Sequence, residues 1–296
     1  MSRQKSYFEG WYLKQQNEHE AVAIIPAFHT DEDGKRTATV QVITKKESYV
    51  SYYQEEECSI NDMPWEVRIG PNRFSFHGCH LELCVKGIKI EGDITYHSFS
   101  PSAPPMMGPF AKAPYMPCRH ELYSAFHNVV GRLDINDRIL RFFDGIGYIE
   151  GDAGTSFPEQ YVWTQCGFAN ERLQNIMMAV ARIPLWKIGE KRKGSYTGCI
   201  GSFLYEGTQY RIATYLGAKV RQIANNHVCI QQGKLLLHIW LLEYEQRKAL
   251  LAPIRGTMIR TIEESVDSTV RYRCSIGGRV LFDKTGRCAG FEWEWK

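Results

Sequence analysis

The chain has 296 residues, 44% of them hydrophobic and 23% charged, and 36 Lys and Arg against 33 Asp and Glu leave a formal charge of +3. That composition excludes disorder, collagen-like repeats and coiled coil, and the near-balance of charge gives no electrostatic case for a nucleic-acid partner. The longest apolar run, Leu235 to Leu242, has eight residues and falls far short of the ~20 of a membrane-spanning helix.

Taken in chain order, strand signals dominate. The N-terminal MSRQKSYFEGWYLK has no apolar signal core and no transit-type leader, so a cytoplasmic location is expected. Thr37 to Thr44 and Ser48 to Tyr53 alternate and are rich in β-branched or aromatic residues. Arg73 to Phe76, His80 to Val85 and Lys89 to Tyr96 follow as hairpins marked by Gly78 and Gly87. Gly198 to Tyr205, Tyr210 to Leu216, Val228 to Gln231, Leu235 to Leu242, Thr269 to Ser275 and Val280 to Phe282 continue the pattern. Helical periodicity is scarce: Glu243 to Leu251 is ambiguous, and IEES suits a short helix over Thr261 to Val266. The basic run Lys187 to Lys193 reads as a solvated loop. The fold class expected is therefore all-β, a sandwich or barrel.

Two punctuations divide the chain. Ser98 to Pro117 holds six prolines and three methionines with one charge, too proline-rich for a central strand and too apolar for a solvated linker. It reads either as a cover over an apolar opening or as a packed crossover. Gly151 to Pro158 lies near the midpoint and suggests a joint between similar halves, 1–155 and 156–296. Glu9-Gly10-Trp11-Tyr12-Leu13 then matches Glu159-Gln160-Tyr161-Val162-Trp163, a weak internal similarity.

No P-loop and no GxSxG elbow are present, and Gly145-Ile-Gly147 lacks the third glycine of a dinucleotide site. Nine cysteines are scattered without a CxxC pair, the pattern of reduced thiols rather than of disulfides. His77, Cys79 and His80 do not share one strand face, so no metal site is expected there. The informative stretch is FDGIGYIEGDAGTSFPEQYVWTQ, Phe143 to Gln165. As a strand it sets Asp144, Ile146, Tyr148, Glu150 and Asp152 on one face, and Gly145, Gly147, Ile149, Gly151 and Ala153 on the other. The second face is nearly bare and admits a close approach by another backbone or a ligand. Ile-Glu-Gly-Asp also occurs at 90–93, so only the longer context is specific.

That longer context resembles the signature of the tocopherol cyclase family: glycine-tyrosine-x-glutamate-x-aspartate, then phenylalanine-proline, then an aromatic strand ending at tryptophan-x-glutamine. Phe8 to Lys14 resembles the family's opening. Met107-Gly108-Pro109-Phe110 with Met116, Cys118 and His120 resembles its central loop, and Ala213-Thr214-Tyr215 and Ala252-Pro253 through Glu263 are also similar. Relatives commonly carry a bulky residue, often tryptophan, where this chain has Ala153, which enlarges or opens that spot. The resemblance implies two lipocalin-like antiparallel β-barrel halves in tandem and an apolar small-molecule ligand, without cofactor or metal. It implies an isomerase that protonates the alkene of a prenylated phenol or hydroquinone and closes a ring. A non-catalytic carrier of a hydrophobic molecule, or a hydratase or pericyclic catalyst, are the alternatives on the same scaffold.

Alkene protonation needs a carboxylic acid kept protonated in a dry site and aromatic faces for the cation. Glu150 or Asp152 is the expected acid, with Glu150 preferred because Asp152 precedes the turn at Gly154. Two carboxyls on one face, if withdrawn from water, push one pKa upward. Trp11, Phe110, Tyr148, Tyr161, Trp163 and Gln165 are the expected pocket wall, and His120 or His127 orients the ligand or assists as a base. The sequence leaves oligomeric state open.

Overall fold

The computed structural model describes residues 6–101, 105–113, 116–136, 138–188, 191–243 and 248–295, without the side chains of 101, 184–188 and 191–193. Its chain divides into two compact units. The first comprises residues 1–102, 120–156 and 248–261, and the second comprises 103–119, 157–247 and 262–296. Two segments therefore count with the unit other than the one their place in the chain suggests.

In the first unit the strands are β1 (Tyr7–Gln16), β2 (Ala21–Thr30), β3 (Arg36–Thr44), β4 (Ser48–Gln54), β5 (Cys58–Asp62), β6 (Trp65–Ile69), β7 (Asn72–Ser75), β8 (Gly78–Val85), β9 (Ile88–Pro101), β10 (Cys118–Ile135) and β11 (Arg138–Gly154). They form one antiparallel sheet in the order β4-β3-β2-β1-β11-β10-β9-β8-β7-β6-β5. Neighbours in sequence are neighbours in space all the way round, and the last strand pairs with the first. The path is broken only between β4 and β5, where a 3-10 turn, Glu55–Glu57, stands.

The second sheet repeats this circuit. Its strands are β12 (Tyr161–Gly167), β13 (Leu173–Ile188), β14 (Lys191–Tyr205), β15 (Thr208–Ala213), β16 (Lys219–Ala224), β17 (His227–Gln232), β18 (Leu235–Glu243), β19 (Lys248–Ile254), β20 (Thr257–Ile276) and β21 (Arg279–Trp293). The order is β15-β14-β13-β12-β21-β20-β18-β17-β16, with β19 pairing β20 off the path. Again the last strand closes on the first, and the break follows the fourth strand at a 3-10 turn, Thr214–Leu216. The chain is all-β, two antiparallel sheets that resemble lipocalin-like barrel halves in tandem.

Alternation explains each core. In the first unit Trp11, Leu13, Val22, Ile24, Val40, Val42, Leu81, Ile94 and Ile149 meet in one buried cluster. In the second, Val162, Cys166, Ile176, Met178, Phe203, Leu237, Tyr272 and Phe291 do the same.

Several expectations are corrected. Thr261 to Val266 is not helical but lies inside β20, because the long partner β21 supplies ladder bonds that outweigh a short helix signal. The ambiguous stretch after Glu243 continues as strand β19, with 244–247 outside the described residues. The basic run is no loop: Trp186 pairs with Lys193 and Ile188 with Lys191 near the β13–β14 hairpin tip, while 189–190 lie outside the described residues. The segment 248–261 docks on the first unit. The Gln41 amide both donates to the Leu251 carbonyl (3.1 Å) and accepts from its N–H (2.9 Å). Gly256, at φ +76°, presses so close to Thr30 that an added Cβ would lie 2.0 Å from the carbonyl oxygen.

The internal match also shifts by one residue. Tyr12 stands opposite Glu150 on β11, and Trp163 stands opposite Glu292 on β21. The register therefore equates Tyr12 with Trp163 and core-facing Trp11 with Val162, not with Tyr161. In a strand that difference exchanges inner for outer faces.

Candidate active site

The β1–β11 ladder sorts the candidate residues by face. Paired residues of an antiparallel ladder share a face, and Trp11↔Gly151, Leu13↔Ile149 and Gln15↔Gly147 turn toward the core. Gly10↔Asp152, Tyr12↔Glu150 and Lys14↔Tyr148 turn to the other face. The expected wall is thereby split: Trp11 and Tyr148 lie on opposite faces of one sheet. Trp11 packs among Phe28 and Trp65, with ring centroids 6.3 and 5.5 Å away.

The bare glycine face is filled by the protein's own rings. A Cβ on Gly147 would lie 2.1 Å from Nε2 of His127, and one on Gly151 would lie 2.7 Å from the Tyr123 ring. His127 is fully buried, stacks on Phe99 at 4.7 Å and meets Ser124 Oγ through Nδ1 at 2.9 Å. Because the Ser124 hydroxyl donates to the Phe126 carbonyl, Nδ1 carries the imidazole proton. Burial lowers the His127 pKa to about 3, so it is a neutral core residue on the face opposite to Glu150.

The other face holds a polar cluster that is nevertheless buried. Glu150 is 4% and Lys14 1% exposed, with Tyr12 and Tyr148 buried beside them. The Tyr148 hydroxyl donates to Glu150 Oε2. Burial, then the Glu150 charge and the hydrogen bond to it, holds the Tyr148 phenol well above its ordinary pKa. His120, brought by β10, lies between two carboxylates: Nδ1 is 3.1 Å from Asp152 Oδ1 and Nε2 is 3.3 Å from Glu150 Oε2. The first contact is a hydrogen bond. The second is an ion-pair approach without hydrogen-bond alignment, so the buried Nε2 has no hydrogen-bond partner among the described residues.

Burial works against a charge on His120, but Glu150, Asp152 and more remotely Glu121 outweigh it and raise its pKa to about 9. At neutral pH the standing proton is on the imidazole. Exposure grows along the row, from Glu150 at 5% through His120 at 9% to Asp152 at 24% of side-chain surface. Donor atoms of the three also lie within 4.8 Å of one another, the one such His/Cys/Asp/Glu group among the described residues that could hold a metal ion. Its carboxylates use opposite edges of the imidazole, a geometry closer to a proton bridge than to a chelate.

Phe110, Tyr161, Trp163 and Gln165 belong to the second unit. Phe110 packs edge-on against Tyr215 (5.6 Å), and the Tyr215 hydroxyl donates to the Met106 carbonyl at 2.8 Å. The described part of the Pro/Met segment is thus a packed crossover, with Met106 and Met107 buried; 102–104 and 114–115 lie outside the described residues. Tyr161 donates to Glu292, which stands opposite both Trp163 and the buried Glu264. Each unit therefore keeps a glutamate on its last strand, bonded to a tyrosine and opposite an aromatic residue of its first strand.

Lys14, Tyr12, Glu264 and Glu292 were not singled out from sequence. The signal for Lys14 was its place directly after the apolar run WYL, and for Glu292 the alternating tail FEWEW.

No family model matches the chain, and no curated protein does. Among solved structures it is similar to the protein assigned as AttH of Nitrosomonas europaea, with a TM-score of 0.57 and 10% identity over 99% of this chain and 93% of that one. It is also similar to CghA solved with Sch210972, with a TM-score of 0.55 and 10% identity over 98% of this chain and 89% of that one. Another CghA structure gives a TM-score of 0.53 at 9% identity. At such identity the likeness is one of fold.

Proposed function

We propose that the protein is a cofactor-independent proton-transfer enzyme, an isomerase or cyclase of apolar small molecules, in which Glu150 exchanges protons with the substrate. The observation that carries this is the row Asp152–His120–Glu150, which runs from a part-exposed carboxylate through an imidazolium to a buried carboxylate. A proton leaving Glu150 is replaced from His120 Nε2–H, which leaves a neutral imidazole holding Nδ1–H on Asp152, and water restores the proton at Nε2. The Tyr148 hydroxyl donates to Glu150 Oε2, the same oxygen that His120 Nε2 approaches at 3.3 Å. Such a relay keeps an internal acid–base group supplied without opening the site.

The family resemblance extends this reading to ring closure on a prenylated phenol or another alkene-bearing molecule. The carrier reading calls for both carboxylates in water beside an apolar pocket, and the burial of Glu150 weighs against it.

The test is deuterium transfer. Purified protein is incubated in D2O with an apolar cell extract, and mass spectrometry follows which compounds gain mass or change. The wild type labels or converts at least one compound. Glu150→Gln, which keeps the shape and removes the titratable group, loses about 10²–10⁴ of that rate. No labelled compound, or labelling indifferent to Glu150→Gln, refutes the reading.

A further inference from the structure

Two basic residues, Lys14 and His120, stand beside the acids of the first unit. The register makes Gln165 the equivalent of Lys14, since each lies two residues beyond the aromatic that faces the buried glutamate. The next-to-last strand supplies His120 in the first unit and Glu264 in the second. The register thus sets Gln165 and Glu264 on the strands of the second unit that correspond to those carrying Lys14 and His120.

His120 is held by Asp152 through Nδ1, while its buried Nε2 has no hydrogen-bond partner among the described residues. A buried donor left without an acceptor is costly, and native proteins keep few. An acceptor oxygen supplied by a ligand would complete it, next to Glu150 Oε2 at 3.3 Å. Lys14 emerges on the same face, opposite Tyr148 and one pair along from Tyr12↔Glu150.

We propose that this cluster is a receptor for an oxygen that becomes anionic during reaction, and that the substrate is a carbonyl compound with an acidic C–H beside the carbonyl. The inference rests on the proton-transfer reading and names its substrate class. Glu150 removes the proton: the C–H bond breaks, an O–H bond forms on the carboxylate, and the electron pair moves through carbon onto the carbonyl oxygen. His120 Nε2–H, backed by the Lys14 ammonium, holds the resulting enolate. Where a β,γ double bond extends the enolate to a dienolate, returning the proton from Glu150 to the γ carbon completes an isomerisation without oxidant, reductant or co-reactant.

Charge bookkeeping supports this direction. His120 lies against two carboxylates, Asp152 at 3.1 Å and Glu150 at 3.3 Å. After transfer Glu150 is neutral and the ligand oxygen is negative, so the sum has not changed. A buried site tolerates a transfer that conserves its charge far better than the arrival of a bare anion. The neighbouring carboxylates favour the imidazolium, so Nε2–H is present to donate to the ligand oxygen beside Glu150.

The probe is 4-nitrophenol, a rigid mimic of an enol whose anion is yellow, titrated into the full chain in buffer below the probe's own pKa. The wild type is expected to bind it as the phenolate, seen as the yellow band, with no net proton release to the buffer. Lys14→Met should weaken phenolate binding roughly tenfold or more, the scale of one lost charge-assisted bond. Lys14→Arg should largely restore it, and circular dichroism checks that both variants are folded. The methyl ether 4-nitroanisole, which has no proton to give, should not compete. Absence of binding, binding as the neutral phenol, or a yellow band indifferent to Lys14→Met overturns the receptor. Deuterium transfer that still depends on Glu150 would then leave the proton-transfer reading standing, whereas phenolate binding without such transfer would fail that reading instead.

Discussion

Two histidines of β10 and one of β2 show how residue surroundings set the response to pH. His127 is held neutral by burial at about 3 and His29 at about 4, while His120 is held charged at about 9 between its carboxylates. For His29 and His127 the folded value lies below the unfolded 6.5, so the unfolded chain binds more protons and stability falls as pH drops below 6.5. For His120 the folded value lies above, so its contribution is complete below 6.5 and is lost as pH rises toward 9. Stability should therefore peak near pH 6.5 as far as these three groups decide it, each pKa unit counting about 1.4 kcal/mol. Urea midpoints between about pH 5 and about pH 9 check this. His120→Gln should flatten the decline on the alkaline side and leave the acid side in place; an unchanged alkaline limb would contradict the charge assigned to His120.

At the scale of single elements, a strand's parity is legible while its neighbours are not. The alternation over Asp144 to Asp152 separates Tyr148, Glu150 and Asp152 from the glycines, and β11 keeps that separation. What occupies the glycine face is decided by β10, far along the chain, which delivers His127 and Tyr123 there. Lys14 escaped notice because a lysine on a strand ordinarily points to water, and only the pairing of β1 with β11 reveals it as buried beside Tyr148. The match between the two halves was detectable in sequence but lay one residue out of register, since aromatic residues flank both strands and only the ladder partners fix the phase. Docking of β19 was equally hidden, because it rests on side chains from the opposite end of the chain, the hydroxyl of Ser48 and the amide of Gln41. That amide satisfies both the N–H and the C=O of Leu251. Gln41→Ala leaves the two backbone groups without it and should cost about 1–3 kcal/mol. Hydrogen exchange at the Leu251 amide should quicken more than exchange across β10, and equal protection in the mutant would deny Gln41 this role.

Over the whole molecule, the repeated circuit and the exchanged segments make a joint statement about folding. Each sheet closes its last strand on its first and breaks after its fourth, so each looks self-sufficient in strand pairing. Yet residues 248–261 count with the first unit and residues 103–119 with the second. Cutting the chain between 156 and 157 therefore gives a first fragment without the segment that Gln41, Ser48 and Gly256 hold in place. The second fragment lacks Met106, Gly108 and Phe110, which pack on or bond to Tyr215. Burial lost at those sites exposes apolar surface at roughly 25 cal/mol per Å2, and marginal stability leaves little to absorb it. Fragments 1–156 and 157–296 should each melt lower and less cooperatively than the full chain. Adding a peptide of residues 248–261 should raise the midpoint of the first fragment, and one of residues 103–119 that of the second, each saturably and without effect on the other. If either fragment unfolds as cooperatively as the full chain and ignores its peptide, the exchanged segment is an appendage and the duplicated circuit alone stabilises that unit.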